Sequence, residues 1–285
     1  MDFMGRDMTS VREPSVSGMF YPDDPAILRK DIGNYLKAAE VEPLSSDIRA
    51  VISPHAGYVY SGQVAAYGYK AVSALSFDTV VVLAPSHRAH FQGIAIWDEG
   101  LFRTPLGDIT IDAASATDLL RSSGIFRAMR DVHRGEHSLE VQLPFLQYIF
   151  KDFLLLPLLV GAAHEGMYEE AAETLRHIMA ASEKRFLMVA STDLSHYYPY
   201  DAAVEIDSVT LRHLKNFDIA GMVRDTRTEK AQACGAGPMI TTMMAAVKLG
   251  ACSSSVLKYA NSGDVSGDRS GVVGYVSAVL FKDNT

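Results

Sequence analysis

Three apolar runs in the 285-residue chain each lead to a histidine by nearly the same route. Val51-Ile52-Ser53 enters Pro54-His55, and Val80-Val81-Val82-Leu83-Ala84 enters Pro85-Ser86-His87. Phe186-Leu187-Met188-Val189-Ala190 enters Ser191-Thr192-Asp193-Leu194-Ser195-His196. Imidazole is the commonest metal ligand and the side chain that changes charge near neutral pH. Short β-branched runs bounded by Pro or Ser predict buried strands. The ligands of an open α/β sheet sit beyond the carboxyl ends of its strands. Adjacent strands are about 5 Å apart, so His55 and His87 at equivalent ends of neighbouring strands reach one ion. One histidine after one strand is more often a solvated turn residue; the repetition is what points to a metal.

Cys234-Gly235-Ala236-Gly237-Pro238 adds a thiol. Pro238 suits the first turn of a following helix, and a thiol just before a helix N-terminus has its pKa lowered. The competing reading is a buried cysteine acting as a small apolar residue, which the flanking glycines weaken. Cys252 beside Gly250 and a serine run is assigned no chemistry. Two histidines and one thiolate with positions left open suit a borderline-soft divalent ion, whereas structural zinc prefers four protein ligands. The pair Asp193 and His196 has two readings. Asp193 orients the ring of His196 for acid/base work, or Asp193 or Ser195 simply caps a helix. Glu136-His137-Ser138-Leu139-Glu140 places His137 at the mouth of the crevice, while Glu136 and Glu140 complement a helix dipole and His133 is exposed.

These residues need a scaffold that brings strand ends together. Strands over 48–53, 79–84, 153–160 and 186–190 alternate with helices over 63–75, 113–122, 168–181 and 238–248, which predicts a layered α/β/α sandwich. Short runs near 91–97 and 108–111, with Thr104-Pro105-Leu106-Gly107 as a turn, form a meander. With the runs at 256–260 and 272–281 they make the sheet mixed, though mostly parallel. Pro144 within 139–150 predicts a kink or a late helix start. No linker, charge block or repeat divides the chain, so a single domain is expected over 1–285, with an extended N-terminal arm to about residue 24.

A composition of 48% hydrophobic and 21% charged residues is that of a globular protein. The net charge of -8 and the lack of any Lys or Arg run argue against nucleic acid as a partner. No apolar stretch is long enough to span a membrane. The start, Met1-Asp2-Phe3-Met4-Gly5-Arg6-Asp7, has no apolar leader, which predicts a cytoplasmic location with both cysteines reduced.

Seven motifs follow one another in order from about residue 12 to near the C-terminus. They are Ser17-Gly18-Met19-Phe20-Tyr21-Pro22, Pro54-His55-Ala56-Gly57-Tyr58, Pro85-Ser86-His87, Glu136-His137-Ser138-Leu139-Glu140, Ser191-Thr192-Asp193-Leu194-Ser195-His196, Ala233-Cys234-Gly235 and Gly271-Val272-Val273-Gly274-Tyr275. In this order they resemble the Memo family. The resemblance implies a fold like that of the class III extradiol dioxygenases, of the protocatechuate 4,5-dioxygenase type. It implies a metal held by His55, His87 and Cys234, with Asp193, His196 and His137 beside it. Fe(II) is the first expectation for the metal, Cu the alternative, and Zn is compatible. It also implies partners: a radical-SAM protein and an AMMECR1-like protein, as in prokaryotic gene sets of the family. The dioxygenases use two histidines and a carboxylate, whereas the third ligand here is an oxidisable thiolate, so ring cleavage does not follow from the fold.

Two functions are therefore expected in competition. One is an oxidoreductase with a non-haem iron or copper site acting on a small molecule, with His196, Asp193 and His137 as its catalytic residues. The other is a non-catalytic module that binds a metal or a tyrosine-containing peptide and works through a partner protein.

Overall fold

Residues 10–44 and 47–283 are described by the structure, a computed structural model. The first nine, which include the start read for a leader and the outer part of the arm, lie outside the described residues. The chain opens with β1 (Val11–Arg12), α1 (Pro25–Ala38), β2 (Ile48–Ser53), α2 (Tyr58–Val72) and β3 (Thr79–Pro85). Short elements follow: β4 (Ile94–Ile96), β5 (Leu101–Thr104), β6 (Gly107–Thr110), α3 (Ala113–Ser122), β7 (Phe126–Ala128) and α4 (Arg130–His133). A 3-10 turn (Glu140–Gln142) leads into α5 (Leu143–Ile149), β8 (Leu154–Val160), α6 (Glu165–Ala181) and β9 (Phe186–Ser191). The last part holds β10 (His196–Tyr198), α7 (Tyr200–Lys215), α8 (Ile219–Arg227), α9 (Ala236–Lys248), β11 (Ser253–Asn261), α10 (Ser262–Ser266) and β12 (Val272–Phe281).

The large sheet runs β10-β12-β2-β9-β3-β8-β4-β7, with β11 also paired to β12. Its centre, β2-β9-β3-β8, is parallel. Antiparallel strands flank it: β12 against β2 on one side and β4 against β8 on the other. The central strands are unbroken apolar runs because both of their faces are covered. Val80, Val82 and Ala84 of β3 pack with Leu28, Tyr69 and Phe145 of α1, α2 and α5. Val81 and Leu83 pack with Leu175, Met239 and Met243 of α6 and α9. The protein is thus a layered α/β/α sandwich on a mixed sheet, as its sequence pattern predicts. No helix among the described residues is long and apolar enough to cross a membrane.

The route of the chain creates the crevice. From β2 it passes to α2 on one face; from β9 it passes to α7, α8 and α9, whose Leu214, Met222 and Met239 belong to the other face. Neighbouring parallel strands whose connections part in this way leave a gap at their carboxyl ends, the usual ligand site of open α/β sheets. The meander reading holds only for β5 and β6, which pair antiparallel and leave the large sheet to join β1. Pro144 stands in the first turn of α5, so the helix starts late rather than kinking.

The arm is tied down by a buried charge. Arg12 is 1% exposed and Glu140 0%. Glu140 accepts from the Arg12 guanidinium, the Tyr21 hydroxyl and the amides of Ser15 and Val16. Arg12 also donates to the carbonyls of His133 and Glu136. His133, read from sequence as exposed, is buried and bonds the Ala95 carbonyl, because the arm covers it. Burial alone would raise the Glu140 pKa, but Arg12 and the hydrogen bonds hold it below the ordinary carboxylate range.

Glu140→Gln should therefore lower stability at pH 7 by about 3–5 kcal/mol, the cost of leaving one partner of a buried pair alone. Native Glu140 contributes fully above its unfolded pKa, near 4.5, and the contribution fades as acid protonates the folded carboxylate. Urea unfolding of both proteins from pH 7 to pH 3 checks this: the gap should be constant down to about pH 5 and then narrow.

Candidate metal centre

His55 and His87 leave β2 and β3 two residues beyond each strand. These strands are not neighbours, as the sequence reading assumed, because β9 lies between them. Strands two apart are roughly 10 Å from each other, yet the two ring centroids are 5.2 Å apart. The rings lean toward one another over the end of β9, where Ser191 stands. The third histidine to join them is His137, with centroids 5.5 Å from His55 and 4.8 Å from His87. His196, the third in the strand-end pattern, is not in this group. The ligating atoms of His55, His87 and His137 all lie within 4.8 Å of one another.

The hydrogen bonds around the rings fix which nitrogen faces the group. The Ser191 hydroxyl has one proton and gives it to the Ser138 carbonyl at 2.6 Å. It accepts from Gln142 Nε2 at 2.8 Å, an amide end identified by its second bond, to the Pro54 carbonyl. The remaining contact, His55 Nδ1 at 2.9 Å, must then be a donor, which leaves Nε2 of the neutral ring with its lone pair. His87 Nδ1 is 3.0 Å from Glu136 Oε1 and donates to that carboxylate, which leaves Nε2 as the nitrogen turned to other partners. His137 Nδ1 lies 3.3 Å from the same oxygen. Rings such as those of His55 and His87, held at Nδ1 by outer partners and open at Nε2, have the arrangement of metal-binding histidines.

Glu136 is the pivot. It is 1% exposed and also accepts from the backbone amides of His87, His137 and Ser138. Burial works to raise its pKa, but the bond from the His87 ring and those from the amides hold it well below the usual carboxylate range. His55 is 2% exposed, and burial, then the neighbouring His87 and His137, push its pKa well below the ordinary value. His137 is lowered too, chiefly by burial. The His55 and His137 rings are therefore neutral at neutral pH and repel a cation far less than imidazolium would.

Cys234 approaches from the other side of the crevice. Its Sγ is 3.2 Å from His55 Nε2 and 3.3 Å from the Asp193 amide. The expectation of a lowered thiol pKa is reversed: burial, then the Asp193 carboxylate, push it well above the ordinary value. The helix start at Gly235 is outweighed by loss of water. Asp193 accepts from the His55 amide at 2.8 Å rather than turning its carboxylate to the His196 ring. Burial raises its pKa to about 7, against the pull of the His55 and Ala56 amides. His196 takes its orientation instead from the Leu194 carbonyl, 2.8 Å from Nδ1, and burial lowers its pKa. His196, Cys234, Leu194, Thr226 and Gln232 line a cavity of about 400 Å³. A larger cleft of about 630 Å³ lies at the amino ends of β3 and β8, beside Asp78 and Leu154, with no histidine or cysteine in its lining.

Sequence reasoning missed Glu136, Ser191 and Gln142 as supports of the rings. The adjacency of Glu136 and His137 was a signal, read only as dipole chemistry. Ser191 and Gln142 offered none, since their role depends on which strand ends meet.

Fold and site define an α/β sandwich with a histidine-lined crevice at the carboxyl ends of its parallel strands. The fold is similar to that of an uncharacterized protein from Escherichia coli K12 known from a crystal structure. The TM-score is 0.52 at 12% identity, over 81% of this chain and 99% of that one. The chain belongs to the Memo family: the Memo-like protein family matches residues 12–279. A MEMO1 family protein from Sulfolobus acidocaldarius is 37% identical over 96% of this chain and all of its own length. Relatives from Methanopyrus kandleri and Methanosarcina mazei are each 38% identical over 95% of this chain and 99% of their own.

Gly235 sets how closely the thiol loop approaches β9. A Cβ there would lie 2.2 Å from the Ser191 carbonyl oxygen and 2.6 Å from Thr192 Cβ. Gly235→Ala should push the loop outward, cost about 1–3 kcal/mol, and make Cys234 react faster with a disulfide reagent. Equal reaction rates in the two proteins would contradict this account.

Proposed function

We infer that the crevice seats a redox-active, non-haem metal ion and that the protein is an oxidoreductase. Fe(II) is preferred, copper is the alternative, and zinc fits the same donors. The observation that carries the reading is a cluster of fixed imidazoles beside a thiol: His55 and His87 are held at Nδ1 by Ser191 and Glu136, and Cys234 Sγ lies 3.2 Å from His55 Nε2. Nitrogen and sulfur donors suit iron, copper and zinc rather than magnesium or calcium. His55, His87 and Cys234 would hold the ion. A bound iron or copper ion supplies one-electron exchange and polarises a coordinated oxygen. Asp193, at a pKa of about 7, can exchange a proton near neutrality, and it fixes the backbone of His55. His196 lines the adjoining cavity, where it would meet a small-molecule substrate. Cytoplasmic location and work alongside radical-SAM and AMMECR1-like proteins accompany this reading through the family.

A second reading, binding of a tyrosine-containing peptide or other partner without turnover, draws on one feature. Tyr197, next to His196, is 79% exposed and held at φ 63°, a conformation unfavourable for a bulky side chain. Such an exposed aromatic beside a crevice suits contact with another molecule.

The test is oxygen uptake by iron- or copper-loaded protein with catechols and with tyrosyl peptides; uptake with neither favours the second reading. Cys234→Ser should retain far less iron or copper than Cys252→Ser after identical purification, since Cys252 is exposed and remote from the histidines. His196→Ala should keep near-native metal content and lose turnover by about 10²-fold or more, the usual contribution of a positioned acid or base. Loss of the metal in that variant would make His196 a ligand instead.

A further inference from the structure

We propose that His137 is itself a ligand of the ion, so that the seat is built of three imidazoles with the Cys234 thiol as the next donor in reach. The inference rests on the reading of the crevice as a metal seat. It departs from the expectation in which His137 stands beside the metal as a catalytic group.

Three observations carry it. First, one ligating nitrogen of each of His55, His87 and His137 lies within 4.8 Å of the other two. Nitrogens bound at about 2.1 Å to one tetrahedral ion are about 3.4 Å apart, so movements of up to about 0.8 Å per donor bring all three onto it. Second, His137 and His87 share one support. Their rings stack with centroids 4.8 Å apart and planes 21° from parallel. Glu136 Oε1 lies 3.0 Å from Nδ1 of His87 and 3.3 Å from Nδ1 of His137. The same carboxylate takes both of their backbone amides. One carboxylate therefore holds both backbones and the His87 ring, and the His137 ring stacks on the ring so held. Third, the Phe20 ring lies against His137 with centroids 4.9 Å apart. A ring confined between an aromatic and a second imidazole suits a fixed donor better than a proton carrier, which must exchange with water.

Four donors fill a tetrahedral ion and leave two positions on an octahedral one. The same seat is therefore closed around zinc and open around iron, so the identity of the ion decides whether a substrate can reach it.

Co(II) titration of the whole protein, followed by its visible d–d bands, tests the proposal. Replacing an outer-shell partner costs about 10–100-fold in metal affinity. His137→Ala and His137→Gln should each lose more than about 100-fold, beyond that range, and change the band shape, with added imidazole restoring binding to the alanine variant. His137→Gln keeps a polar side chain of similar length and guards against simple misfolding. A loss smaller than about 100-fold overturns the proposal and returns His137 to a neighbouring role. A readout that needs no substitution is the ¹⁵N resonance of His137 Nε2 in the native protein on adding Zn(II). It should move to a metal-bound position, and an unmoved resonance while Zn(II) binds overturns the proposal. Native protein that takes up neither ion overturns the seat itself, a result distinct from failure at His137 alone.

Discussion

Glu136 is sealed from water beneath the crevice, and an ionised carboxylate there is tolerable only while donors occupy its lone pairs. The donors are the amides of His87, His137 and Ser138 and the ring of His87. Each bond fixes something the site needs, namely the loop after β3, the loop before the 3-10 turn, or the tautomer of an imidazole. Ser138 extends the chain of constraints by donating to the Pro85 carbonyl and accepting from Ser191. Ser191 in turn holds His55. Segments some fifty residues apart are thereby locked by one charge and its partners, and the rings inherit their positions from that lock.

The N-terminal arm repeats this logic with Glu140. A second buried carboxylate gathers Arg12, Ser15, Val16 and Tyr21, and the turn so formed brings Phe20 against His137. The Tyr58 amide at the start of α2 bonds the Phe20 carbonyl at 2.7 Å. The arm therefore closes one wall of the crevice rather than trailing from the domain.

The layered fold was legible because its signals are local. The runs at 48–53, 79–85 and 186–191 are continuous and β-branched, and helical periodicity separates them. Of the residues singled out in the sequence, His55, His87 and His137 cluster, Cys234 and Asp193 touch His55, and His196 lines the adjoining cavity. Their relations were not legible. The order of strands in a sheet is set by long-range packing, so nothing in the sequence said that β9 separates β2 from β3. The pairing of Asp193 with the His55 amide and the support of Ser191 both follow from that one fact. The thiol reading failed for a related reason. A helix start favours thiolate, but how much water the loop loses depends on elements distant in sequence.

The position of β9 has a consequence for the order in which the protein comes into being. β2 and β3 emerge from synthesis long before β9, yet they have no ladder in common until β9 inserts between them. Until then nothing holds His55 and His87 at their final separation, and the hydroxyl that orients His55 is still missing. Cys234 arrives later still. A nascent chain therefore carries its histidines for most of its translation without the geometry to trap a metal. An ion seated as proposed would be captured only by a chain whose central sheet is already closed.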